Sequence, residues 1–105
     1  MAQVLHYGPF FWGADPGLAP GTQHSWSLGP NPGLFAEASL VATAHPEPPF
    51  DPGTPGPERR LAVTRIQSHR APNGPFEDHF VHVFVRNVGP NPVGWYRLYI
   101  SAITP

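Results

Sequence analysis

Cysteine is absent from the chain, so neither a disulfide framework nor a thiolate metal site can reinforce the fold, and the redox compartment is left open. Lysine is missing as well: all six basic residues are arginine, the cation that stacks on aromatic rings and tolerates partial burial. Charged residues supply 12% of the sequence, about half the usual ~25%, and the formal net charge is −1. So sparse a charge excludes strong steering of ligands and lacks the basic footprint of a nucleic-acid binder, although residues 79–105 hold Arg86 and Arg97 and no acid. It suits a domain covered by copies of itself or by a larger assembly. No stretch approaches the ~18–20 apolar residues of a membrane span, and the opening MAQVLHYGPFFWG lacks the basic start and long apolar run of a secretion signal. A soluble chain without a membrane span is expected.

Long regular helices are excluded by what is abundant. Sixteen prolines and eleven glycines among 105 residues remove backbone donors and add backbone entropy that a helix cannot absorb. Three Trp, three Tyr and seven Phe supply the large apolar side chains that disordered chains lack. One small domain over residues 1–105 with a single thin core follows from the length.

Two-residue alternation is clearest in residues 79–87 and 95–103, separated by Val88-Gly89-Pro90-Asn91-Pro92-Val93-Gly94, which predicts a β-hairpin with a wide loop. The tetrapeptide Gly-Pro-Asn-Pro also stands at residues 29–32, between 23–28 and 34–43, and predicts a second hairpin by the same corner chemistry. Residues 60–68 and 4–7 add strands. Residues 46–57, PEPPFDPGTPGP, read as a proline-rich surface loop of polyproline II character rather than an SH3-type ligand, because no basic residue stands at the flanking offsets. Residues 69–78, with Pro72-Asn73-Gly74-Pro75, read as an irregular, mobile tip. The fold class expected is all-β: a small antiparallel β-sandwich, immunoglobulin-like or jelly-roll-like, of six to seven strands.

The run Val81-His82-Val83-Phe84-Val85-Arg86-Asn87-Val88-Gly89 resembles the V-x-V-x-V-x-N-x-G strand of bacterial immunoglobulin-like and adhesion-type modules, and residues 95–103 resemble its partner strand. The likeness covers about a quarter of the chain, and its one informative element is Asn-x-Gly. It implies a non-catalytic spacer, adhesion or recognition role. The Trp-, Phe- and Pro-rich first half departs from that pattern.

Sorting the closing hairpin by parity places Val81, Val83 and Val85 with Tyr96, Leu98, Ile100 and Ala102 on the core side. The other side carries Phe80, His82, Phe84 and Arg86 beside Trp95, Arg97, Tyr99 and Ser101. With Asn87 opposite Gly94, Arg86 neighbours Trp95, Phe84 neighbours Arg97 and His82 neighbours Tyr99. Such a lattice either covers itself through cation–π pairs on a solvated face or forms an interaction surface, since Trp, Tyr and Arg concentrate binding energy once desolvated. The second reading predicts a homo-oligomer or larger protein assembly through Phe80, His82, Phe84, Arg86, Trp95, Arg97 and Tyr99.

Tyr7, Phe10, Phe11, Trp12 and Trp26 form an earlier aromatic group that a cysteine-free core requires. The alternative function, carbohydrate binding, would use Trp12 and Trp26 as stacking platforms, with Asp15, His24 and Asn31 bonding hydroxyls. No metal or other cofactor is expected: His79 and His82 point to opposite faces of a strand, and His6, His24, His45 and His69 are scattered. No phosphate loop, G-x-S-x-G elbow or paired-carboxylate pattern suggests an enzyme, and Glu77-Asp78 reads as a solvated turn.

Overall fold

A computed structural model describes residues 3–31, 38–48, 53 and 56–104, and of Asp15 the backbone alone. Six strands stand in chain order, β1 (Gln3–Leu18), β2 (Gln23–Leu28), β3 (Ser39–Pro46), β4 (Leu61–Asn73), β5 (Phe76–Asn87) and β6 (Val93–Thr104). They form two antiparallel three-stranded sheets, ordered β1-β6-β3 and β2-β5-β4. The all-β sandwich is as expected.

The connectivity differs from the expected hairpins. Strand β5 pairs with β2 and β4, and β6 pairs with β1 and β3, so the last two strands face each other across the core instead of sharing hydrogen bonds. Likewise β2 and β3 lie in opposite sheets, and residues 32–37 between them lie outside the described residues. Both Gly-Pro-Asn-Pro corners therefore carry the chain from one sheet to the other. Consecutive strands alternate sheets from β1 to β4, the β4–β5 hairpin reverses the chain, and β5 and β6 return through the centres of their sheets. That is jelly-roll wrapping with six strands; in the immunoglobulin arrangement the last two strands share a sheet.

Parity explains the core even though pairing does not follow from it. Val83 and Val85 of β5 meet Val93, Tyr96, Leu98 and Ile100 of β6, with Leu18 at one end, and Phe10, Trp12, Trp26, Leu28 and Ile66 close the margins. Each buried aliphatic side chain contributes roughly 1.5–3 kcal/mol.

The one hairpin within a sheet falls where a loose tip was expected. Asn73 pairs with Phe76, leaving Gly74-Pro75 as a two-residue turn, and Gly74 takes a φ of +61°, the conformation glycine supplies at the first turn position. The pairing continues past the end of β2, whose last partner is Val81. Polar links hold this ribbon: Arg70 to Glu77 at 3.3 Å and Asn73 Nδ2 to Asp78 at 3.1 Å.

The Asn-x-Gly element is a structural anchor. Buried Asn87 donates from Nδ2 to the carbonyls of Leu18 (2.9 Å) and Asn91 (2.8 Å), and its Oδ1 accepts from the Gly89 amide (3.0 Å). One side chain thus ties the end of β1 to the β5–β6 crossing. A Cβ at Gly89 would stand 2.7 Å from the Arg60 backbone nitrogen, so the close approach needs glycine. Of residues 46–57, Pro46 ends β3, and 49–52, 54 and 55 lie outside the described residues.

Candidate functional site

Because β5 and β6 lie in different sheets, the single aromatic and arginine lattice does not form. Its two rows occupy opposite outer surfaces: Phe80, His82, Phe84 and Arg86 on the β2-β5-β4 sheet, and Trp95, Arg97 and Tyr99 on the β1-β6-β3 sheet. Each ring has a different partner from the one the hairpin implied. Arg65, rather than Arg97, sits over Phe84 at 4.3 Å. Tyr99 meets His45 edge-on at 5.3 Å, and Trp95 lies 6.3 Å from Phe11.

On the β2-β5-β4 face Phe80 and Phe84 are covered by the chain itself, whereas Phe76, in the β4–β5 ribbon beyond the end of β2, is exposed. His69 stacks on Phe80 at 5.5 Å and His82 lies within 6.5 Å of Phe84. Register sets Gln23, Ser25 and Ser27 along one side and Arg65, Gln67 and His69 along the other. Ser27 Oγ lies 2.9 Å from His82 Nδ1, whose Nε2 lies 3.2 Å from His69 Nδ1. The order hydroxyl, imidazole, orienting group is that of a hydrolase triad. Here the third member is another imidazole, which cannot stabilise an imidazolium as a carboxylate does. A nearby open depression of about 300 Å³ is lined by Gly21, Arg86, Asn87, Val88 and Gly89, none of them a member of the relay. Where β5 pairs with β2, this face is a solvated sheet whose rings the chain itself covers.

The residues expected to bind sugar make contacts of their own. Trp12, His24 and Trp26 converge on Tyr96, with Trp12 at 5.5 Å from the Tyr96 ring and 4.9 Å from His24. The indole of Trp26 can only donate, so its Nε1–H goes to the Tyr96 oxygen at 2.6 Å, and the Tyr96 hydroxyl donates to His24 Nδ1 at 2.6 Å. That assignment puts the His24 proton on Nε2. Burial lowers the His24 pKa, and burial pushes Tyr96 up to about 12 against the opposing pull of the Trp26 hydrogen bond. Asn31, at φ +54°, accepts from the His79 amide at 3.0 Å and donates to Asp78 at 3.2 Å. Trp12, His24 and Trp26 are thus engaged in packing on Tyr96, with Trp12 and Trp26 half-buried, and Asn31 in a corner; the Asp15 side chain lies outside the described residues.

The β1-β6-β3 face is of another character. Register aligns Val4, His6 and Phe11 of β1, Trp95, Arg97, Tyr99, Ser101 and Ile103 of β6, and Val41, Thr43 and His45 of β3 on one surface. Val4, Phe11, Val41, Trp95 and Ile103 are exposed there. Phe11 departs from its expected place in the core: Phe10 and Trp12 turn inward and Phe11 outward. Arg97 is the permanent charge within these paired rows; Glu47, just past β3 with its amide on the Trp95 carbonyl, is paired with Arg59 at 3.2 Å, and the Arg97 Nε is buried without a partner among the described residues. Extending the parity of β6 by one step to Ile103, and applying it to Phe10, Phe11 and Trp12, would have found this face; Val4 and Val41 required the pairing.

No protein-family model, curated protein or solved structure matches the chain. Among the described residues no three His, Asp or Glu side chains gather as a metal site would require, and no helix is long and apolar enough to cross a membrane.

Proposed function

We propose that the chain is a non-enzymatic assembly module that docks protein through the outer face of its β1-β6-β3 sheet. The observation that carries this reading is the contrast between the two outer faces. One holds Val4, Phe11, Val41, Trp95 and Ile103 in water; the other, where β5 pairs with β2, covers Phe80 with His69 and Phe84 with Arg65 and is edged by Ser and Gln, with Phe76 exposed only in the β4–β5 ribbon beyond β2. An antiparallel sheet with one solvated face is expected to alternate apolar with polar, and exposed apolar clusters rimmed by polar residues mark interaction surfaces; here Val4, Val41 and Ile103 stand at one end of the face and Phe11 and Trp95 at the other, on either side of Tyr99.

A photo-reactive benzophenone residue at Val41, compared with one at Ser25 on the opposite sheet, tests the reading in an extract of the source cells. Adducts to protein are expected from position 41 and not from 25. An inert position 41, or equal yields from both, would contradict it.

A further inference from the structure

Resting on that reading, we infer that the occupant of the β1-β6-β3 face is a second copy of this chain, packed sheet on sheet about a twofold axis that crosses the strands at Tyr99. Area supports the size of such a contact. Exposures of 51% for Val4, 65% for Phe11, 53% for Val41, 39% for Trp95 and 37% for Ile103 amount to on the order of 500 Å² of apolar surface. It lies in two clusters, Val4, Val41 and Ile103 at one end and Phe11 and Trp95 at the other, with Tyr99 between them. Nine residues of rise along β6 and three strands with their side chains span about 30 by 20 Å. Two such footprints bury roughly 1,200 Å², the lower end of a stable interface.

Charge selects the orientation. A twofold axis running along β6 would set the Arg97 guanidinium of one copy against that of the other, while the acid beside these rows, Glu47, is already paired with Arg59 at 3.2 Å. An axis crossing the strands at Tyr99 instead lays Arg97 over Ser101 of the other copy, whose hydroxyl offers an acceptor, and separates the two Arg97 positions by about 14 Å, beyond the ~8–10 Å Debye length. The same axis places Trp95 over Ile103 and Phe11 over His6 of the other copy, and brings Thr43 opposite Thr43. A twofold contact of this kind closes on itself and leaves no unsatisfied copy of the patch.

Sedimentation equilibrium from low to several hundred micromolar should show the mass doubling, and Phe11→Asp with Val41→Lys should remain monomeric with an unchanged far-ultraviolet spectrum. Since the chain has no cysteine, Thr43→Cys and Ser25→Cys each carry a single thiol; a short bismaleimide should link the first into a dimer and leave the second single. A wild-type monomer throughout that range, or a dimer linked through Ser25→Cys, would overturn the inference. If the wild type is monomeric while the Val41 photoprobe captures another protein, the second copy is excluded and the docking face stands. If neither occurs, both fall.

Discussion

Replacing Tyr96 by Phe removes one oxygen from the interior, and the structure sets the size of the loss. Tyr96 is fully buried, and its hydroxyl both accepts from Trp26 and donates to His24, each at 2.6 Å. The change leaves an indole N–H and an imidazole nitrogen without their partner. An unsatisfied buried polar group costs about 1–3 kcal/mol, and because Trp26 and His24 are half-buried, water recovers part of it. The expected loss is about 2 kcal/mol, which for a domain of this size lowers the melting temperature by roughly 8–15 °C. Urea unfolding followed by tryptophan fluorescence should show a lower midpoint with an unchanged slope. Tyr99→Phe, altering a ring on the outer face, should stay within about 0.5 kcal/mol. Equal, small losses for both variants would refute the view that the Trp26–Tyr96–His24 chain joins the two sheets.

Two further expectations follow from named contacts. Burial lowers the His24 pKa below 6.5, so as pH falls through 6.5 the unfolded chain takes up the proton first; stability from this group is complete above 6.5 and declines below it until the folded-state value is passed. The stability difference between wild type and His24→Gln should therefore shrink between pH 7 and pH 5, and a constant difference would contradict it. Asn87→Ala strips the Leu18 and Asn91 carbonyls of their donor and should cost about 3 kcal/mol by chemical unfolding; a loss below 1 kcal/mol would show that the corner does not depend on it.

How much of this was legible in the sequence differs by level. Faces were legible, because the two-residue period of β5 and β6 alone assigns Val81, Val83 and Val85 and Tyr96, Leu98 and Ile100 to the interior, and all are buried. Partners were not, since parity fixes the side on which a residue lies and says nothing of which strand accepts its hydrogen bonds. The Gly-Pro-Asn-Pro segments have the residues of a turn, but the contacts that make them crossings, from Asn87 to Leu18 and from Asn31 to His79, span 69 and 48 positions. The true hairpin at Gly74-Pro75 escaped notice because its ribbon, from Arg70 to Asp78, is mostly solvent-exposed on both faces and so lacks apolar alternation. Phe11 was hidden for the opposite reason: three consecutive aromatics look like core until the strand's alternation is imposed on them.

The measurement closest to the central claim is the distance between β5 and β6 across the sandwich. In a chain free of native cysteine, spin labels at Phe84→Cys and Arg97→Cys, diluted with unlabelled protein, report it by pulsed dipolar spectroscopy. Two outer surfaces of sheets packed ~10 Å apart predict label separations on the order of 20–30 Å. A separation near 5–10 Å, that of cross-strand neighbours in one sheet, would contradict the assignment of two separate faces and with it the docking surface.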